Sequence, residues 1–322
     1  MLDILSITGP IYLIIALGYG VTRWGLFAKA DMRVFGKFVM HLALPAMLFS
    51  SLSQRPVREV LNLQYLGAYA LACGLVLLLG FAWMRWGRRQ TMSFSSMVAM
   101  GMGCPNSGFV GYPVALLVLG GSVASVSLAL NMVVENLLLI PVLLVLSDLG
   151  DRRKGAWHAV LWQSLKGLAR NPMVLSIAAG ILASWAGVAL PAALSRTVQL
   201  FAQASGALSL FVIGGSLVGL HIKGTLGTVA QISVGKLVLH PLAMLLVLGW
   251  LVPVDDPQLR TAALLSCAMP MLGIYAILSQ RHGHEGISSA ALLVTTVASF
   301  FTLSAFCGGW GWRRCEGPPA GA

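Results

Sequence analysis

The chain has 322 residues, 57% hydrophobic and only 10% charged, with a mean hydropathy of +0.85. A soluble domain carries about 25% charged residues, so the composition excludes one and specifies a polytopic membrane protein. The net charge of +11 would suggest nucleic acid as a partner of a soluble chain. Here the basic residues fall in short clusters between apolar runs, as in membrane proteins, with no basic patch interleaved with aromatics.

A membrane span takes about 20 apolar residues, more when tilted. By that measure spans run over 4–22, 34–53, 64–84, 93–119, 123–147, 172–190, 199–220, 228–252, 261–280 and 287–310, ten in all. Asp3, with no Lys or Arg before the first run, argues against a cleavable signal peptide. With the N-terminus outside, inner loops and flanks hold fourteen Lys and Arg, including Arg85, Arg88, Arg89, Arg152, Arg153 and Lys154, against six outside. Positive-inside logic then puts both termini in the periplasm of a bacterial inner membrane. Trp83, Trp86, Trp162, Trp250, Trp310 and Trp312 lie near span ends, where interfacial anchors belong.

The longest polar interruption, 148–171, reads as a cytoplasmic linker between a first five-span repeat (1–147) and a second (172–312), followed by a tail at 313–322. Five is odd, so the second repeat is expected upside down relative to the first. The fourth span carries Cys104-Pro-Asn-Ser-Gly-Phe-Val-Gly-Tyr-Pro113 in its middle. Pro105 and Pro113 each remove a backbone donor, and Gly108 and Gly111 let the chain turn. Hydrocarbon tolerates such an interruption only where protein or a wet cavity surrounds it, so this helix is expected to break at mid-depth. The ninth span holds Pro270 and Gly273, with Pro270 165 residues after Pro105. That is the period of a five-span duplication. Pro45 in the second span and Ser209 in the seventh also take corresponding places.

Glu135 is the only acidic residue well inside a span. Burying its charge costs several kcal/mol, so it lines a cavity, has a partner or carries a proton. Asn131 lies one helical turn earlier on the same face, and Asn136 is adjacent. Glu135, Asn131 and Asn136 are therefore proton-coupling candidates, with a helix–helix clamp as the structural alternative. Lys236 and His240 share a face of the eighth span, and Lys236 is expected to pair with an acid or snorkel to an interface. Cys73, Cys104, Cys267, Cys307 and Cys315 include no pair with zinc or redox spacing. No catalytic motif stands out, and neither an enzyme, a metal nor a cofactor is expected.

A broken helix places a new N-terminus at mid-depth, where unpaired amides carry roughly half a positive charge and suit an anion. Pro105, Asn106, Ser107, Gly111, Pro113, Pro270, Gly273, Pro45 and Ser209 are the candidate substrate residues. An ionised Glu135 beside an anionic guest would repel it, and a proton would relieve this. The reading is a secondary carrier of small organic anions. A ligand-binding membrane sensor and a passive anion channel are the competing classes. The short loops oppose the first, and the clustering of polar residues at one depth opposes the second.

The string Pro105-Asn106-Ser107-Gly108-Phe109-Val110-Gly111-Tyr112-Pro113, with Ala268-Met269-Pro270 and Gly273, resembles the two crossovers of the auxin efflux carrier family, which includes plant auxin exporters and bacterial malonate-type permeases. The likeness runs through all ten spans. It implies an all-α fold of ten transmembrane helices in a 5+5 inverted repeat, with crossed broken helices 4 and 9, related to bile-acid and sodium/proton carriers. It further implies a homodimeric scaffold of spans 1, 2, 6 and 7 and a transport domain of spans 3–5 and 8–10 that moves like an elevator. The implied cargo is a mono- or dicarboxylate of malonate or auxin type, with a proton or sodium as coupling ion. Glu135 falls where the plant exporters have a neutral glutamine, and Ala276 where bacterial relatives often have a further proline.

Overall fold

The computed structural model describes residues 2–54, 62–150, 162, 166–167, 169–187, 190–219, 226–273, 275–280 and 282–309. Most of the basic linker, Lys223, Arg281 and the tail at 313–322 lie outside them. Helix α1 is Leu2–Arg23, α2 is Lys29–Ser53 and α3 is Leu63–Gly87. Helix α4, Met92–Gly103, ends at the break. The helical run Ser107–Ser147 that follows turns at Gly120 (φ 80°, ψ 163°) into α5 (107–119) and α6 (121–147). The second half contains α7 (Pro172–Trp185), α8 (Ala192–Ser216), α9 (Leu226–Leu251), α10 (Pro257–Ala268), α11 (Tyr275–Gln280) and α12 (Glu285–Gly309).

The chain is thus an all-helical, multi-pass membrane protein. Counting α4 with α5 and α10 with α11, these helices follow the ten expected spans, and among the described residues six runs are long and apolar enough to cross a bilayer on their own. Helix starts are set by polar side chains outside the apolar runs. Asn62, Thr91, Asn171 and Asp256 cap α3, α4, α7 and α10 by accepting from amides of the first turn. Helix α8 begins seven residues before the apolar run does, because Pro191 is its N-cap and its first turns, with exposed Arg196, extend past the hydrocarbon.

Widened π turns at 39–43, 107–111, 135–139 and 235–239 each stand shortly before a proline, Pro45, Pro113, Pro141 and Pro241, and two more, at 83–87 and 247–251, end α3 and α9. A proline cannot donate to the carbonyl four residues back and its ring crowds that carbonyl, so the preceding turn opens. Among the described residues the two buried charged ones, Glu135 and Lys236, sit in such turns.

The helices pack in two groups. Helix α1 lies along α8, and α2 along α7 and α8. Helix α3 packs on α4 and α9, α4 on α6, and α9 on α12. In the first group the backbones touch. A Cβ on Gly18 would meet the Phe211 carbonyl oxygen, and one on Gly214 would fall on the Ile15 carbonyl oxygen. Small residues give membrane helices the close approach that replaces a hydrophobic driving force. A small apolar cluster joins the groups beside the break, with Ile11, Leu210 and Ile213 from the first and Val110, Val114 and Leu265 from the second.

Candidate functional site

The two interrupted segments meet each other. Pro105 and Met271 form an isolated antiparallel bridge. The Asn106 amide donates to the Pro270 carbonyl at 2.9 Å, and the Leu272 amide to the Cys104 carbonyl at 3.0 Å. Each break therefore satisfies polar groups freed by the other, where an unpaired group would cost several kcal/mol. Helix α5 restarts immediately after this contact. Asn106 caps it, accepting from the Phe109 amide at Oδ1 (3.2 Å) and from Gly111 at its carbonyl (2.8 Å). Among the described residues nothing accepts from the amides of Ser107 and Gly108. These two donors belong to a buried helix N-terminus.

Around it, Gly273 leaves room for the Asn106 amide group: a Cβ there would stand 3.3 Å from Nδ2. Gly108 faces Leu44 of α2, and Gly273 faces Ile213 of α8. The crossing thus lies against the first helix group. Pro113 is buried in the first turn after the π segment of α5.

Glu135 joins the crossing directly. Its Oε1 accepts from Ser107 Oγ at 2.5 Å and from the Tyr69 hydroxyl at 2.7 Å. With both donors on Oε1, a proton on the acid would sit on Oε2 and leave both hydrogen bonds intact. One turn away the pattern repeats. Asn131 Oδ1 accepts from the Tyr65 hydroxyl at 2.9 Å, and its Nδ2 donates to Ser266 Oγ at 2.8 Å. Tyr65 and Tyr69 stack with ring centroids 6.0 Å apart. The i, i+4 spacing of Tyr65 and Tyr69 on α3 matches that of Asn131 and Glu135 on α6, giving two rungs between parallel helices. The two tyrosines are site residues that the apolar runs conceal; their only sequence signal is this shared spacing.

Lys236 neither snorkels nor meets an acid. It is fully buried, and its Nζ donates to the Cys267 carbonyl at 2.8 Å and lies 2.7 Å from His240 Nδ1. Cys267 precedes the last residue of α10, so the ammonium stands at the carbonyl end of the helix that the second break interrupts. A cation there offsets the negative end of the helix dipole.

The structure gathers Pro105, Asn106, Ser107, Gly111, Pro270, Gly273, Glu135 and, through Ser266, Asn131. Ser209 Oγ donates to Gly206 and Asn136 Nδ2 to Met132, carbonyls of their own helices, and Pro45 is buried within α2. A cavity of about 430 Å³ lies beside the crossing, between α2, α5, α6 and α8, with Ser50, Gln54, Tyr112, Ser122, Ser125 and Gln199 in its wall. Tyr112 follows Gly111 directly, and among the described residues no charged side chain lines the cavity.

Residues 7–307 match the family model described as "Membrane transport protein". The chain belongs to that family, the auxin efflux carriers. It is a transporter and not an enzyme. Among relatives in this family, the "Putative malonate transporter" of Rhizobium meliloti (strain 1021) is 29% identical over 307 residues, covering 94% of this chain and 95% of the relative. The "Uncharacterized transporter YfdV" of Escherichia coli (strain K12) is 28% identical over 299 residues, covering 91% and 93%. The protein of that name from Shigella flexneri matches to the same extent.

Proposed function

We propose that this family member is a secondary active transporter of small organic anions, mono- or dicarboxylates of malonate or auxin type. The observation that carries this reading is the N-terminus of α5, buried at the crossing with the Ser107 and Gly108 amides unpaired. Such a terminus attracts a carboxylate through backbone donors and the helix dipole. The name of the Rhizobium meliloti relative agrees with a dicarboxylate cargo.

In this reading α1, α2, α7 and α8 are a scaffold and a homodimer contact, and α3–α6 with α9–α12 carry the guest as an elevator. The two-group packing and the polar cavity on their boundary support that division. An inverted repeat relates the halves, and the fourteen-to-six distribution of basic residues favours periplasmic termini in a bacterial inner membrane. Glu135 is the proton site. With Oε1 saturated by Ser107 and Tyr69, protonation removes the charge that would repel the guest without dismantling the contacts.

The test is counterflow of labelled malonate and of labelled monocarboxylates in proteoliposomes. Saturable counterflow that Asn106→Ala reduces at least tenfold is expected. Binding without flux would establish a sensor, and non-saturating flux a channel.

A further inference from the structure

Outside the Glu135 network, the same helix group holds a cluster that none of the transport chemistry uses. Cys73 of α3, His240 of α9 and Cys267 of α10 are all buried, and their ligand atoms lie within 4.8 Å of one another. Cys73 Sγ is 3.3 Å from His240 Nε2. Zinc–sulfur and zinc–imidazole bonds of about 2.3 and 2.0 Å at a tetrahedral angle set sulfur and nitrogen about 3.5 Å apart, so this pair is near ligand spacing already. The opposite ring nitrogen, Nδ1, lies 2.7 Å from Lys236 Nζ, a contact that holds the ring with Nε2 towards Cys73.

We propose that Cys73, Cys267 and His240 form a binding site for a soft divalent cation of the zinc and cadmium class. Two sulfurs and one imidazole suit such an ion in preference to magnesium or calcium, which take oxygen ligands. Three protein ligands leave the fourth position open. Charge balance favours a divalent over a monovalent ion. On binding, two S–H bonds break and two metal–sulfur bonds form. The two protons leave as one M²⁺ enters, so the buried charge is unchanged. Ligation through Nε2 also places the ring proton on Nδ1. Lys236, a donor only while charged, then turns wholly to the Cys267 carbonyl and the charge balance holds; as a neutral amine it would accept from Nδ1–H, and the third proton released would lower the buried charge by one. The ion would tie α3, α9 and α10 together at the second break.

The test uses the full-length protein in detergent with Cys104, Cys307 and Cys315 changed to serine, so that Cys73 and Cys267 are the only thiols. Cadmium is titrated and the ultraviolet thiolate-to-cadmium absorption recorded, with proton release followed in weak buffer. Saturation at one cadmium per chain is expected, with at least two protons released and zinc competing for the site. His240→Gln should weaken binding at least tenfold, and Cys73→Ser should abolish the band. If Cys73→Ser misfolds, His240→Gln, which keeps both thiols, carries the comparison, with equilibrium dialysis and elemental analysis as the second measurement. No saturable band, fewer than two protons per ion, or affinity indifferent to His240→Gln would each overturn the assignment.

Discussion

Ser107 Oγ and Glu135 Oε1 stand 2.5 Å apart, which ties the first residue after the break to the buried acid of the sixth helix. A guest carboxylate held by the Ser107 amide would therefore lie next to the Glu135 carboxyl. In the proposed mechanism this proximity couples proton and anion, so that each should favour the other. Uptake should then fall as pH rises on the side from which the proton is taken, because the ionised acid repels the guest. Glu135→Gln should transport with a flat pH profile. A variant with the parent's full pH dependence would remove Glu135 from the mechanism.

Tyr69 supplies the second donor to the same oxygen. Tyr69→Phe keeps the ring and its stacking on Tyr65 but deletes that hydrogen bond. Hydrogen bonds to charged groups contribute about 1.5–3 kcal/mol and neutral ones about 1, so thermal stability in detergent should drop by an amount within that range. Tyr65→Phe, which leaves Asn131 its bond to Ser266, should lose less.

Lys236→Met should destabilise the protein by about 1–3 kcal/mol, since it removes the donor that satisfies the buried Cys267 carbonyl. Thermal unfolding of the purified variant measures this. Lys236→Met as stable as the parent would mean that the ammonium does nothing for the interrupted helix.

The close approach of α1 and α8 makes a steric prediction. Gly214→Ala would place its Cβ on the Ile15 carbonyl, and Gly18→Ala on that of Phe211. Overpacking of this kind costs about 1–3 kcal/mol, seen as a lower unfolding temperature. Gly74→Ala, with open space around it, is the control and should be neutral or stabilising.

Much of this organisation is legible in the sequence, because a bilayer forces long apolar runs and makes every interruption of one costly. Both breaks, at Pro105 and Pro270, are readable for that reason, as is Glu135, the one acid deep in a span. Contacts between spans are another matter. Tyr65 and Tyr69 are 66 residues from the groups they hold, and Cys73 is 167 from His240. In an all-apolar setting no periodicity distinguishes a residue facing a partner helix from one facing lipid. Ser209 and Asn136 bond locally: a short polar side chain in a membrane helix finds its own carbonyls three or four residues back. Lys236 is misread from sequence because the partner it found is a backbone carbonyl, which carries no residue-type signal.

The stitch between Pro105 and Met271 is made of main-chain atoms, and side-chain substitutions around it leave those atoms in place. The wall of the neighbouring cavity, Tyr112 or Ser125 for instance, can therefore be altered while the frame of the crossing persists. Side-chain chemistry at the cavity wall and main-chain geometry at the joint are thus separable properties of this fold.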